Sequence, residues 1–227
     1  MSPRPRREER HPDLLNAIKD SAWKQITEFG APALNLRAIG RDLGIAAPSI
    51  YNYFPGRDNL VTALIVDAYH SLAEAQEAAL ESGLAESFSA KLFSLGIAYR
   101  DWVVKHPHRY QLIFGTPIPN YQAPDDVTVP AATRALVPLI KVIQDLYSAN
   151  ALRTERLTEM SPKLESMLRS WQKVEGSSDI ETLYLAMVIW SRLHGLVGLE
   201  IGNQFPPFID PAEIFQREMN NILIQYL

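Results

Sequence analysis

Leu36-Arg37-Ala38-Ile39-Gly40-Arg41-Asp42-Leu43-Gly44-Ile45-Ala46-Ala47-Pro48-Ser49-Ile50-Tyr51-Asn52-Tyr53-Phe54 has the makings of two short helices joined at a glycine. Leu36, Ile39 and Leu43 fall on one helical face. Gly44 can take the left-handed conformation that ends a helix. Ile45 in the turn and Ile50 beyond it then lock the two helices at a steep angle. Pro48 suits the first turn of the second helix, which the spacing carries through Tyr53. A second helix held in that way projects its N-terminal half into a DNA major groove.

Upstream, Leu15, Ile18, Ala22, Ile26 and Phe29 predict an amphipathic helix stopped by Gly30 and Pro32. Downstream, Pro55-Gly56 breaks the chain. A long helix then starts near Arg57 with Leu60, Leu64, Ala68, Leu72 and Ala75 inward. Further helices follow from the stripe Phe88, Leu92, Leu95, Tyr99, Trp102 and Val103, ending at His106-Pro107, and from the short segment Arg109 to Phe114. After the turn-rich GTPIPNYQAPDD come Leu136 to Leu146, where Pro138 either kinks the helix or sits near a break, and a helix opened by Ser161-Pro162. Asp179 starts the most apolar helix, running to about Ile201. Asp210-Pro211-Ala212-Glu213 is a capping box with proline at its first helical position. No strand alternation persists, so the fold class is all-α: a three-helix helix-turn-helix domain followed by a helical bundle. The expected divisions are a disordered basic arm over 1–12, a DNA-binding domain over 13–58 and a ligand-binding and dimerisation domain over 59–227.

Residues 13–60 resemble the DNA-binding domain of TetR-family transcriptional regulators, on the strength of LRAIGRDLGIAAPSIYNYFPGRDNL. Leu36, Ile39, Leu43, Gly44, Tyr51, Phe54 and Leu60 match the family pattern. Gly40, Tyr53, Gly56 and Arg57 depart from it while keeping size or charge. The resemblance implies that Ala46 to Tyr53 form the recognition helix and its lead-in turn. It gives Ser49 and Asn52 to base edges, Tyr51 and Tyr53 to phosphates or sugars, and Arg57 to a phosphate near a helix N-terminus. Ala46, Ala47 and Pro48 offer only apolar contact, for instance to thymine methyls. Arg37 and Arg41 lie on a solvated face and are assigned at most a phosphate contact, and Phe54 completes the core. Arg4 to Arg10 would add salt-dependent attraction.

His106-Pro-His-Arg-Tyr-Gln-Leu-Ile-Phe-Gly115 and Trp190-Ser-Arg-Leu-His-Gly195 resemble one subtype of the family's C-terminal domain (the WHG subtype), which implies effector sensing and dimerisation without naming a ligand. A pocket needs apolar walls with a few polar groups. Tyr99, Trp102, Tyr110, Phe114, Trp190 and His194 are the candidates to line it. The helix from Ile180 to Ile201 is apolar nearly all round, so one side should meet a partner. With the stripe of the terminal helix it should form a four-helix interface in a homodimer, through Tyr184, Met187, Val188, Phe215, Met219, Ile222 and Tyr226. An effector between the body helices would then shift the helix from Arg57 to Ala79, shared with the reader, and release the protein from a palindromic operator.

Composition agrees and removes alternatives. The chain has 227 residues, 47% of them hydrophobic, a net charge of −4 and no cysteine, which excludes disulfides, thiol nucleophiles and Cys-ligated zinc. Residues 1–60 hold nine Lys/Arg against seven Asp/Glu and the remainder thirteen against nineteen, a mildly basic head on an acidic body. No apolar run follows the N-terminal arginines, and Leu183 to Trp190 is too short to span a bilayer. The expectation is a cytoplasmic protein with no membrane partner. His106 and His108 lack a third metal ligand nearby, and no phosphate loop, G-x-S-x-G or H-E-x-x-H occurs. No enzyme activity, metal or cofactor is therefore expected. The rival reading is an all-helical protein–protein adaptor with a degenerate helix-turn-helix.

Overall fold

A computed structural model describes residues 13–82, 87–153, 159–176 and 178–227. The basic arm expected over 1–12 lies outside the described residues. Those residues form ten α-helices and one 3-10 turn, with no strand. They divide into two compact units, the first of 13–68 with His108–Thr128 and the second of Tyr69–Pro107 with Val129–Leu227. Compactness thus divides the chain differently from the boundary at 58/59 drawn on sequence.

In the first unit, α1 (Leu14–Phe29) starts at Asp13, whose carboxylate accepts from Asn16 N–H at 3.2 Å. It ends at Gly30, held at φ +80° while donating to the Ile26 carbonyl. Ile18, Ala22 and Ile26 are buried, but Phe29, expected on the same face, is exposed because the helix stops beneath it. A 3-10 turn (Ala31–Ala33) leads to α2 (Leu36–Asp42). Asn35 caps α2 by accepting from the Arg37 and Ala38 N–H groups at 2.9 and 3.2 Å, satisfying two of the donors a helix start leaves open. Gly44 sits at φ +63°, the conformation the turn demands and one that disfavours any side chain. Then come α3 (Ala47–Tyr51) and the start of α4 (Arg57–Glu81). Ile39, Ile50, Leu60, Val61 and Leu64 are fully buried, each worth about 1.5–3 kcal/mol of transfer free energy.

The segment after His106 departs from its expected place. The helix α6 (Pro107–Phe114) was assigned to the sensing body, yet from His108 on it belongs to the first unit. The Arg109 guanidinium lies 5.3 Å from the Trp23 ring centroid, a cation–π contact. Further along, the Tyr121 hydroxyl and Thr62 Oγ1 are 2.9 Å apart. Both contacts tie the 108–128 stretch to α1 and α4 within that unit.

In the second unit, α5 (Phe88–Lys105), α9 (Ile180–Ile201) and α10 (Pro211–Tyr226) pack on one another. Gly96 permits the close approach of α5 and α10, since a Cβ there would overlap Sδ and Cε of Met219. Asp210 caps α10 as the N-cap of the expected capping box, but it accepts from Ala212 N–H, at 2.9 Å, and not from Glu213 N–H. Arg153 closes the other end, its N–H donating to Tyr226 O and its Nη1 to Ile224 O, each at 2.8 Å. The helix α7 (Asp125–Ser148) begins well before Leu136 and runs through both Pro130 and Pro138, and α8 (Pro162–Glu175) follows. By length and composition α9 could cross a bilayer, but Leu183, Leu185, Ala186, Ile189, Leu193 and Val197 are buried. Arg192 on the same helix bonds Glu218 and Gln225 of α10 at 2.6 and 2.8 Å. That pattern makes it a core helix of this unit.

Candidate nucleic-acid interface and candidate effector site

The faces of α3 follow from its anchors. Ile50 and Phe54 point inward, and the Phe54 and Tyr53 N–H groups both close onto the Ile50 carbonyl at 2.9 Å. That tightened turn ends the helix at Tyr51, two residues sooner than its spacing predicts. It leaves Tyr51 and Tyr53 large, aromatic and 42% and 47% exposed. Ala46, Pro48 and Asn52 are exposed beside them, and Arg37 and Arg41 are exposed on α2.

Ser49 corrects the sequence expectation. It is only 3% exposed, because the buried arc of α3 is wide enough to take in the neighbour of Ile50. A hydroxyl turned inward cannot reach a base edge, so Ser49 is removed from the readers. Arg57 has more to do than expected. Its Nη2 donates to the Ala31 and Pro32 carbonyls at 3.1 and 3.2 Å, fastening the turn between α1 and α2 to the start of α4. Sequence reasoning missed two residues that shape this surface, Asn35 and Gln25. Gln25 is buried and its Oε1 accepts from Asn35 N–H at 3.0 Å. A polar residue directly before the apolar Leu36 is a recognisable cap signal. A buried glutamine has none.

The six aromatic candidates for an effector site fall in two places. Tyr110 and Phe114, with rings 5.3 Å apart, belong to the first unit. Tyr99, Trp102, Trp190 and His194 belong to the second. There the Tyr99 hydroxyl and His194 Nδ1 are 2.8 Å apart, and the Trp190 and His194 rings meet at a tilt of 35° with centroids at 4.6 Å. Trp102 Nε1 donates to Ser71 Oγ at 3.0 Å. On α5 the residue after Tyr99, Arg100, binds Glu200 through Nε at 2.8 Å, so the adjacent side chains Tyr99 and Arg100 grip α9 at two points.

Burial pushes the His194 imidazole below its ordinary 6.5. A histidine held neutral by the fold contributes stability above the unfolded value, and that contribution is lost as pH falls below it. The thermal midpoint of the second unit should therefore drop between pH 7.5 and 5.5 by more in the wild type than in His194→Gln. Parallel pH profiles would show that His194 has no such part.

Of the residues expected at a dimer interface, Phe215, Met219, Ile222 and Tyr226 are buried inside this chain. They are core, because α10 turns its apolar stripe onto α5 and α9 of its own unit. Met187 is exposed, while Tyr184 and Val188 are half-buried.

The matches to known proteins fall on these same parts. A profile for bacterial regulatory proteins of the tetR family matches residues 18–64. A second, for the tetracyclin repressor-like C-terminal domain, matches residues 92–222. The HTH-type transcriptional regulator Rv1816 of Mycobacterium tuberculosis is 30% identical over 203 residues, which make up 88% of this chain and 87% of that protein. The crystal structure solved for the protein SCO4313 is 35% identical, with a TM-score of 0.78 over 97% of this chain and 99% of that one. A TetR-family regulator of Thermus thermophilus, PfmR, shares the fold with a TM-score of 0.60 at 16% identity, over 91% of this chain and 97% of its own. With a helix-turn-helix whose outer face carries Tyr51 and Tyr53, and with profiles matching both its reader and its body, this chain belongs to the TetR family of DNA-binding transcriptional regulators.

Proposed function

We propose that the protein is a ligand-responsive repressor that binds a palindromic operator as a homodimer in the cytoplasm and is released by a small, partly apolar effector. The observation that carries the reading is the division of α3 and the turn after it into a buried side, Ile50 with Ser49, and an outer side bearing Tyr51 of the helix and Asn52 and Tyr53 of the turn. That outer side, with Ala46, Ala47, Pro48, Arg37 and Arg57, is the proposed DNA contact. Few of these residues can read a base through two hydrogen bonds, so much of the specificity would come from DNA shape and water-mediated contacts.

The effector site is proposed in the second unit, around Tyr99, Trp190 and His194 with Trp102 close in sequence. An aromatic setting with one imidazole and one phenol suits a guest that is mostly apolar with a polar end. Met187, Tyr184 and Val188 are proposed for the partner-facing side of α9. A ligand that binds the free and operator-bound states with affinities differing by about 1–3 kcal/mol changes occupancy by roughly 5- to 150-fold. The chain is read as a regulator with no catalytic activity of its own.

Selection of bound sequences from random duplex DNA by the purified protein tests this. A palindrome with half-sites about 34 Å apart is expected, with affinity that falls steeply as salt rises. Absence of enrichment at low salt would remove the DNA-binding repressor and leave the adaptor reading.

A further inference from the structure

Two helices, α4 and α7, contribute residues to both compact units. The division falls after Ala68 in α4 and after Thr128 in α7. About two helical turns beyond each division, the two helices are fastened together inside the second unit. Gln76 of α4 is 5% exposed, and its Nε2 donates to the Ala135 carbonyl of α7 at 2.8 Å. The next residue, Glu77, takes Arg134 in a fork, Nε to Oε1 at 3.2 Å and Nη2 to Oε2 at 2.8 Å. Consecutive residues of one helix thus hold consecutive residues of the other, one by a buried amide and one by a paired charge.

The place where α7 is held is also the place where its own ladder is broken. Proline at 138 has no N–H to return to the Arg134 carbonyl, and proline at 130 likewise leaves the Asp126 carbonyl without its helical donor. Pro138 is buried and Pro130 is exposed. A helix so interrupted bends more easily at those two points than elsewhere. A glutamine in a packed helix contact is a costly choice where leucine or methionine would fill the space. What the polar side chain adds is register: besides a long bond of 3.5 Å to the Leu72 carbonyl of its own helix, its amide reaches across to the Ala135 carbonyl of α7, the shorter of the two at 2.8 Å.

We propose that the Gln76–Glu77 grip on Arg134–Ala135 is the coupling element of the regulator. It holds the proline-interrupted α7 in one register on α4, so that a displacement of either helix in the second unit is carried along α4 toward Arg57 at its start. Gln76 and Arg134 are positioning residues: they touch neither DNA nor effector. The inference rests on the DNA-binding reading above.

Coupling is reciprocal, so it can be measured from the DNA side. The probe is the operator duplex obtained by selection, and the readout is amide hydrogen exchange in residues 69–81 and 129–148 with and without that duplex. In the wild type, saturating operator should change protection in both segments. In Gln76→Met, which keeps the volume, operator affinity should stay within about threefold while the change in protection shrinks at least about fivefold. Glu77→Ala/Arg134→Ala should behave in the same way, and the reversed pair Glu77→Arg/Arg134→Glu should restore part of the response. A grip that only adds stability would lower the thermal midpoint and leave the operator-induced change intact, which would overturn the proposal. So would a wild type that binds operator with no change in either segment. Failure of the wild type to bind any duplex would instead defeat the DNA-binding reading and take this inference with it.

Discussion

Replacing Tyr51 and Tyr53 together by alanine is expected to weaken operator binding about 10- to 100-fold, since each hydroxyl contact to a phosphate or sugar contributes roughly 0.7–1.4 kcal/mol net. Both rings, one at the end of α3 and one in the turn after it, are more than 40% exposed, so unfolding free energy should change by no more than about 0.5 kcal/mol. The loss should be similar for matched and mismatched duplexes if the tyrosines contact backbone rather than bases. It should also leave the salt dependence unaltered, because a neutral phenol displaces no counterion. Arg57→Ala provides the contrast. Its guanidinium holds the Ala31 and Pro32 carbonyls, so its removal should lower the thermal midpoint. If it also neutralises a phosphate, the salt slope should shrink by about one. Fluorescence anisotropy of the selected duplex at several salt concentrations separates these outcomes. Unchanged affinity of the double tyrosine variant would move the DNA contact off this face.

The success of the sequence in describing this surface has a local cause. Gly44 at φ +63°, the cap at Asp210 and the inward Ile39, Ile50 and Phe54 all depend on neighbours within a few positions. Local chemistry is enough to read them. Ser49 eluded the same reasoning because α3 spans only Ala47–Tyr51. On so short a helix, a buried arc of about 100° admits either neighbour of its central anchor. The docking of α6 into the first unit was invisible for another reason. Arg109 and Trp23 are 86 residues apart in the sequence, and nothing in the pattern of either segment records the other. Gln76 and Ala135 present the same difficulty, and a glutamine among alanines and glutamates on a long helix looks solvated. Pairings at long range arise from packing, and periodicity constrains them only to a face.

The terminal helix shows how far that limit extends and where it can be tested. Its stripe of Phe215, Met219, Ile222 and Tyr226 has the spacing of a partner-facing seam and also that of a core face, and in this chain it is core. Phe215 is 1% exposed with the Arg100 guanidinium 5.9 Å from its ring. Phe215→Ala should therefore cost about 3–5 kcal/mol of unfolding free energy, the range for emptying a buried phenylalanine site. The cavity would lie beneath α10, where Gly96 already admits Met219 at close quarters and leaves little slack for collapse. A second copy would instead meet the side of α9 and α10 that remains outward, where Met187, Leu199, Ile214 and Ile224 are exposed. Met187→Asp should leave the unfolding free energy within about 0.5 kcal/mol of wild type. The same variant should convert the proposed dimer to a 25.6 kDa species in sedimentation equilibrium, because an unpaired carboxylate buried between copies would be strongly unfavourable. The two variants thus fail in opposite ways, one in denaturant and one on dilution. A Phe215→Ala protein that kept its stability but lost its dimer would return the stripe to the interface.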